Sequence, residues 1–245
     1  MKKFMWRRLI LLLVVFLSGC GGKKADGLYT IGMVQITEDP MLDLARNSVI
    51  AALREEGFEE GKNIRIEYEN AQGEIPNITL ILKKFVSQKV NMVITNSTPC
   101  MAAAAHTVKN IPVVFTVAFS PEQIGIKNPP ANLTGAYDPF QMDDFVRLMS
   151  ENVAGLQKIG VLCNSSEPNA RYGADRLKEA CAKQNIEVVE VAVFSANDVL
   201  QGGQALAQKG VQAFAIAADN TVYLAMDARS EERRVGKECR FRWSS

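Results

Sequence analysis

Short hydrogen-bonding side chains follow four apolar runs of this sequence, and they are its strongest candidates for binding chemistry. Parallel sheets gather the carboxyl ends of their strands at one edge, and ligands bind outside that edge. Amide, hydroxyl and carboxylate groups at such a place could hold a small polar solute through hydrogen bonds. The four turns are Gln35 with Thr37, Glu38 and Asp39; 96–99; 164–167; and 219–221.

Two of these turns stand directly before a proline that can open a helix. Ser97 or Thr98 can cap the helix that Pro99 opens, and Ser165 and Ser166 precede a helix near Pro168 in the same way. A helix N-terminus presents free N–H groups and a partial positive charge, so it can hold a carboxylate without an arginine. Helix capping alone is an alternative explanation for each turn. The convergence of four turns on one cleft favours ligand binding.

No sequence motif for catalysis or for cofactor binding accompanies these turns. The chain has no GxGxxG after a strand, no Walker A loop and no GxSxG elbow, and it has no Cys/His spacing typical of metal sites. Its one histidine, His106, is interpreted as a surface or packed helix residue. Glu38 and Asp39 are interpreted as solvated charges or as charges at a helix N-terminus. We therefore predict no catalytic residue, no metal and no cofactor.

Apolar runs and helical periodicities alternate along the body of the chain, and this alternation positions the polar turns at strand ends. Strands that alternate with helices of this length indicate βαβ units, whose parallel sheets are covered on both faces. The pattern predicts an α/β fold of two doubly wound lobes with a ligand cleft between them. The predicted strands are 29–36, 63–68, 91–95, 111–117, 158–163, 186–193 and 211–217; the predicted helices are 40–57, 75–88, 98–109, 139–151, 168–184, 197–208 and one from about 220.

A stretch rich in proline and asparagine interrupts this alternation and divides the body. We expect a first lobe over 29–119, a hinge over 120–134 and a second lobe over 135–228. The second lobe has three predicted strands and the first has four. This difference predicts that the second lobe is incomplete and that the native chain continues beyond about Ala228.

The amino terminus has the pattern of a secretory signal peptide. Basic residues precede a short apolar run, which ends in the sequence LSGC at residues 17–20. This ending resembles the bacterial lipobox, in which the cysteine becomes the lipidated first residue of the mature protein. We therefore expect a signal peptide over 1–20, lipid on Cys20 and a flexible tether over 21–28.

The carboxyl terminus changes abruptly in composition. Residues 229–245 contain six basic and three acidic residues with no periodic apolar face, and they resemble the translation of an adapter or vector. We expect this segment to be foreign to the fold. The body that remains after removal of the signal peptide and this segment has 18 basic and 24 acidic residues, which argues against a nucleic-acid partner.

The remaining cysteines of the body are widely spaced, and we interpret them as small buried apolar residues. They are Cys100, Cys163 and Cys181. The sequence alone does not decide whether Cys163 and Cys181 form a disulfide.

Three segments resemble the substrate-binding lipoproteins of ABC transporters, of the tryptophan/tyrosine type. The segment IGMVQITEDPMLDLARNSVIAALREEGFEEGKNIRIEYENAQGE resembles their first lobe, and IGVLCNSSEPNARYGADRLKEA and AFAIAADNTV resemble parts of their second lobe. The resemblance covers about residues 29–228. It implies the two-lobed periplasmic-binding-protein fold, with ligand contacts at Gln35, Thr98, Asn164, Ser165, Ser166, Asp219 and Asn220.

The resemblance also implies a non-catalytic function. Such proteins bind a small solute between two lobes and deliver it to a membrane permease that is driven by a separate ATPase. The resemblance implies an amino acid as the solute, with a preference for an aromatic side chain. Its carboxylate could dock at the helix N-termini and Asp219 could meet its ammonium group. Two alternatives stay open: a ligand-sensing receptor lipoprotein that signals to a membrane kinase, and a lipid-anchored enzyme.

Overall fold

The computed structural model describes residues 27–137 and 139–226 of the chain. The predictions for the signal peptide, for lipid on Cys20 and for the segment 229–245 lie outside the described residues, as does most of the tether. Within 27–137 and 139–226, no helix combines the length and the apolar composition needed to cross a membrane.

The first lobe is a parallel five-stranded sheet with the strand order β2-β1-β3-β4-β5. Helices cover it on both faces. One face packs against Ile78, Leu82 and Phe85 of α2, and the other packs against partly buried residues of α1. The elements are β1 (Tyr29–Gln35), α1 (Pro40–Glu55), β2 (Ile64–Asn70), α2 (Ile75–Gln88), β3 (Met92–Asn96), α3 (Thr98–Thr107), β4 (Val113–Ala118) and β5 (Leu133–Tyr137).

The second lobe contains a parallel three-stranded sheet with the order β7-β6-β8. Val146 of α4 and Leu177 of α5 are buried against one face, and Leu206 of α6 is buried against the other. The elements are α4 (Met142–Asn152), β6 (Lys158–Cys163), α5 (Pro168–Ala182), β7 (Glu187–Ala192), α6 (Asp198–Gln208), β8 (Ala213–Ala215) and a final helix, α7, over 220–226.

These two parallel sheets confirm the predicted α/β fold of two doubly wound lobes. The observed β5 is additional, because the sequence pattern predicts no strand over Leu133–Tyr137. β5 pairs with β4, so the segment 120–132 leaves the first sheet and returns to it. Among the described residues, the chain passes from the first lobe to the second after Tyr137, between β5 and α4.

The strand orders explain where a ligand site can form. β1 lies between β2 and β3, and β6 lies between β7 and β8, so in each sheet the chain first adds a strand on one side and then crosses to the other side. Each lobe therefore has a topological switch point, and open α/β sheets bind ligands at the carboxyl ends of strands beside such a point. In the first lobe this point lies between Gln35 and Asn96, which are paired in register.

The cysteines of the described residues are free thiols: Cys100, Cys163 and Cys181. The disulfide that the sequence left open between Cys163 and Cys181 is therefore not formed. Burial raises the pKa of Cys100 to about 12 and is the main cause that raises the pKa of both Cys163 and Cys181 to about 11. All three thiols are protonated near neutral pH and behave as small apolar residues.

Candidate functional site

A cleft of about 750 Å³ lies between the two lobes. Residues that follow β1, β3, β4 and β5 line it from the first lobe, and residues of α5 and of the segment after β8 line it from the second. This volume lies in the usual range for small-molecule sites. The polar lining is Thr37, Asp39, Ser48, Ser97, Thr98, Thr116, Asn169 and Asn220; the aromatic lining is Phe119, Tyr137, Phe140 and Tyr223.

The apolar wall of the cleft is built mainly by α1 and by an aromatic group near the passage between the lobes. Met41, Leu42 and Leu44 of α1 line one side. Phe119 contacts both Phe140 and Tyr172 edge to face, with ring centroids 5.0 Å apart in each pair. Edge-to-face packing of this kind stabilises a fixed arrangement of rings. The cleft can therefore enclose an apolar side chain in a preformed site.

The N-terminus of α3 opens onto the cleft without a side-chain cap. Ser97 precedes this helix, but its side chain makes no hydrogen bond to the first turn. Ser97 is only 2% exposed, and its Oγ has no nitrogen or oxygen partner among the described residues. Burial raises the pKa of the Cys100 thiol, and the contact of this thiol with Ser97 lowers it in part. The hydroxyl of Thr98 is already engaged, since it accepts a hydrogen bond of 3.1 Å from the Phe119 N–H. Pro99 has no N–H and the Met101 N–H donates to the Ser97 carbonyl at 3.1 Å, so the N–H groups of Thr98 and Cys100 are the first-turn donors left for an anion, as the sequence predicts for this turn.

Three non-glycine residues of the cleft lining have a positive φ. They are Ser97 at 116°, Val117 at 48° and Ala218 at 51°. Each such conformation is unfavourable for a residue with a Cβ atom, at a cost of about 1–3 kcal/mol. Val117 falls where the register of β4 with β5 shifts between Phe115 and Ala118. Strained backbone in three separate segments of one cleft is typical of functional sites.

The second-lobe side of the cleft is organised by the buried carboxylate of Glu167. Its Oε1 accepts hydrogen bonds from the backbone N–H and hydroxyl of Thr221, at 3.0 and 2.7 Å. Its Oε2 accepts from the backbone N–H and side-chain amide of Asn220, at 3.1 and 2.5 Å, and from the amide of Asn169 at 3.1 Å. Glu167 therefore fixes two residues that line the cleft, although it does not line the cleft itself.

Asp219 lies beneath this surface rather than on it. Asp219 is 0% exposed, and its carboxylate accepts hydrogen bonds from the N–H groups of Asn164 and Val222, at 2.7 and 3.1 Å. Burial, with the nearby charge of Glu167, raises the pKa of Asp219 to about 6. The contribution of this group to stability is fully present below its unfolded-state pKa, about 4, and is lost as pH rises through about 6.

Gln35 lies in a buried hydrogen-bond network outside the cleft lining. Its amide donates to the Thr37 carbonyl at 2.7 Å and to Asp43 Oδ1 at 2.8 Å, and its Oε1 accepts from the Asn96 amide at 2.9 Å. Asn96 also donates to the Leu42 carbonyl at 2.7 Å. This network attaches the first turns of α1 to the ends of β1 and β3, so it positions the apolar wall of the cleft.

The turn after β6 also lies outside the cleft lining. Asn164 donates to the Thr221 hydroxyl at 2.8 Å, and its Oδ1 accepts from the Ser166 N–H and hydroxyl at 3.1 and 2.5 Å. Ser165 and Ser166 are exposed. Of the seven predicted contacts, the structure brings Thr98 and Asn220 together in the cleft; the other five stay predictions, without cleft contact in this arrangement of the lobes.

Residues 30–237 match the protein family described as ABC transporter substrate binding protein. The chain belongs to this family. The matched region ends inside the segment 229–245, whose composition differs from that of the body. Members are extracytoplasmic proteins that bind a small solute and work with an ABC transporter; they are not enzymes.

Individual relatives agree with this assignment. This substrate-binding protein is 32% identical over 240 residues to a tyrosine-binding protein of Clostridioides difficile, with 91% of this chain and 69% of the relative covered. A conserved domain protein from Vibrio cholerae is 31% identical with a TM-score of 0.77, over 85% of this chain and 72% of that one. A domain from Streptococcus pneumonia in complex with L-Trp has the same fold, at 24% identity and a TM-score of 0.74, over 85% of this chain and 72% of that one.

The cleft of this substrate-binding protein contains residues that sequence reasoning did not select. Asn169 is the second residue of α5 and Tyr223 is the fourth residue of α7, so neither directly follows a strand; Tyr137 and Phe140 flank the passage between the lobes. Asp39 was noted in the sequence as a charge at a helix N-terminus, and it does cap α1, accepting from the N–H groups of Met41 and Leu42. Asp39 also belongs to the first of the four polar turns that the sequence analysis selected, although it is not among the seven predicted contacts.

Proposed function

We propose that this protein captures an aromatic amino acid between its two lobes and delivers it to the permease of an ABC importer with a separate ATPase. The observation that carries the proposal is the composition of the cleft. Aromatic and aliphatic side chains form its walls, and the uncapped N-terminus of α3 offers N–H groups for a carboxylate. No lysine or arginine is among the described lining residues, which suits a ligand with little net charge.

The tyrosine-binding relative supports an aromatic ligand, because its similarity extends over 91% of this chain. The walls of the cleft supply a physical reason for the same preference. An aromatic side chain buries a large apolar area, and ring edges such as those of Phe119 and Phe140 favour aromatic partners.

Calorimetric titration tests this proposal directly. The purified protein should bind tyrosine, tryptophan or phenylalanine at least about tenfold more tightly than leucine, and it should bind glutamate and lysine weakly or not at all. Tighter binding of a charged or aliphatic amino acid would contradict the aromatic preference. Absence of binding by every amino acid in the panel would contradict the proposed function.

We further propose that lipid on Cys20 anchors the mature protein to the outer face of the cytoplasmic membrane or to the cell surface. A Cys20→Ser variant should be released from the membrane fraction or should accumulate as an uncut precursor, because the acceptor of the lipid is removed. Fractionation with metabolic lipid labelling measures both outcomes. A Cys20→Ser product that stays membrane-bound and lipid-labelled would contradict the anchor.

A further inference from the structure

One carboxylate stands alone in the cleft. Asp39 is the only charged side chain among the described lining residues, and it lies at the first-lobe edge of the cleft, directly before α1. Its Oδ1 accepts both capping hydrogen bonds, from Met41 N at 2.9 Å and from Leu42 N at 3.1 Å. No described residue donates a hydrogen bond to Asp39 Oδ2, and none forms an ion pair with it. Capping therefore leaves one oxygen of this carboxylate for another partner.

We propose, building on the proposed function, that Asp39 binds the ammonium group of the ligand and that the cleft thereby selects solutes with a protonated amine. An ammonium group supplies three N–H donors and a full positive charge. A charge-assisted hydrogen bond to Oδ2 would complete the coordination of Asp39 and neutralise the one charge of the lining. Asp39 is then a specificity-determining residue.

A second acceptor on the opposite lobe supports this placement. Asn169 lines the cleft and is only 5% exposed, and its amide nitrogen donates to Glu167 and to the Ala218 carbonyl at 2.6 Å. Because both of these partners are acceptors, the amide orientation is fixed and Oδ1 is left without a partner among the described residues. A buried acceptor without a donor is costly, so a donor-rich ligand group is favoured there.

The carboxylate of the ligand would bind at a different part of the lining, the first turn of α3. The free N–H groups of the uncapped first turn of α3 are donors only, so they suit a carboxylate and not an amine. The cleft lining thus combines acceptors at Asp39 and Asn169 with donors at the first turn of α3. An amino acid carries its ammonium and carboxylate groups on one carbon, and the first turns of α1 and α3 follow neighbouring strands, so one zwitterion could meet acceptor and donors together with its side chain against the apolar wall of α1.

Asp39 of the first lobe and Tyr223 of the second lobe line the same cleft. Burial raises the pKa of the Tyr223 hydroxyl, and the Asp39 carboxylate raises it further from across the cleft. An ammonium group bound to Asp39 would therefore lie between the lobes, where closure removes water and strengthens the ionic contact. Asp219, the carboxylate selected from the sequence for this role, is fully buried and already accepts two backbone hydrogen bonds.

The test compares Asp39→Asn with Glu38→Gln by calorimetric titration against tyrosine and against 3-(4-hydroxyphenyl)propionate, which lacks the amine. Asparagine caps helices as well as aspartate does, so Asp39→Asn removes the charge while it keeps α1 capped. Glu38 is exposed and does not line the cleft, so Glu38→Gln is a matched control for charge removal in the same loop. Circular dichroism of both variants verifies the fold.

We expect Asp39→Asn to bind tyrosine roughly 10- to 150-fold more weakly, the usual range for a lost hydrogen bond to a charged group. Its affinity for the propionate should be unchanged or higher, because the carboxylate that repels this anion is gone. Glu38→Gln should match the wild type for both ligands. Equal affinity of Asp39→Asn and wild type for tyrosine would overturn the inference alone. Failure of the wild type to bind any aromatic amino acid would overturn the proposed function, and the inference with it.

Discussion

Replacement of Glu167 by alanine is expected to lower the free energy of unfolding by at least about 3 kcal/mol, because it leaves several buried donors unpaired at once. Five donors of Asn169, Asn220 and Thr221 converge on this carboxylate. Ligand affinity should fall at least about tenfold in the same variant, since Asn169 and Asn220 line the cleft and lose their common anchor.

Denaturant unfolding and calorimetric titration measure these two effects. Glu179→Ala is the matched control, because Glu179 lies on α5, the helix that begins after Glu167, but its side chain is 58% exposed in a surface ion pair with Arg176. Its effect should stay within about 0.5 kcal/mol. A third variant, Glu167→Gln, removes the charge that helps to raise the pKa of Asp219, so the loss of stability between about pH 4 and 6 should become smaller. A Glu167→Ala protein as stable as the control would refute the anchoring role.

Gly173→Ala is expected to destabilise the protein by about 1–3 kcal/mol, although alanine is the better helix former. A Cβ atom at Gly173 would lie 2.5 Å from the backbone oxygen of Ala217 and 3.0 Å from its carbonyl carbon. Because the obstacle is backbone, α5 or the segment after β8 must move. Ala218 and Asn220 of that segment line the cleft, so ligand affinity should fall together with stability.

Gly203→Ala provides the matched comparison, because Gly203 lies within α6 and a Cβ atom there would meet nothing within 4 Å. This variant should gain roughly 0.5–1 kcal/mol from helix propensity alone and bind ligand normally. Thermal unfolding and titration of the pair separate the two effects. If Gly173→Ala were as stable as Gly203→Ala, the close approach of α5 to Ala217 would not constrain the cleft.

Hydrophobic periodicity predicted most of the fold because buried parallel strands and amphipathic helices leave a clear pattern. The sequence of β5 has no such pattern, because the residues of Leu133–Tyr137 are mostly exposed. The strand also lies at the edge of the sheet and follows two prolines. Its place depends on a contact remote in sequence. A Cβ atom at Gly135 would lie 2.2 Å from the Phe115 oxygen, so glycine permits the approach of β5 to β4.

The candidate site was harder to predict than the fold, because polar residues after strands serve two purposes. Gln35 ends β1 and Asp219 follows β8, at positions typical of ligand contacts, but both side chains hydrogen bond to the protein itself and position other groups. Whether such a side chain faces the cleft depends on the backbone path of its turn, including the positive φ values of Ser97 and Ala218. Local sequence does not encode that path, since serine and alanine rarely adopt it.

Chemical labelling of the Cys100 thiol can report on the opening of the first turn of α3. The thiol is fully buried, and with a pKa of about 12 it cannot react with an alkylating reagent while the helix stays in place. Its labelling rate therefore measures how often this part of the first lobe opens, as amide hydrogen exchange measures the frequency of local unfolding. A solute docked on the N–H groups of the same turn would slow the labelling, so mass spectrometry of the peptide containing Cys100 could follow ligand occupancy without a fluorophore or a radiolabel.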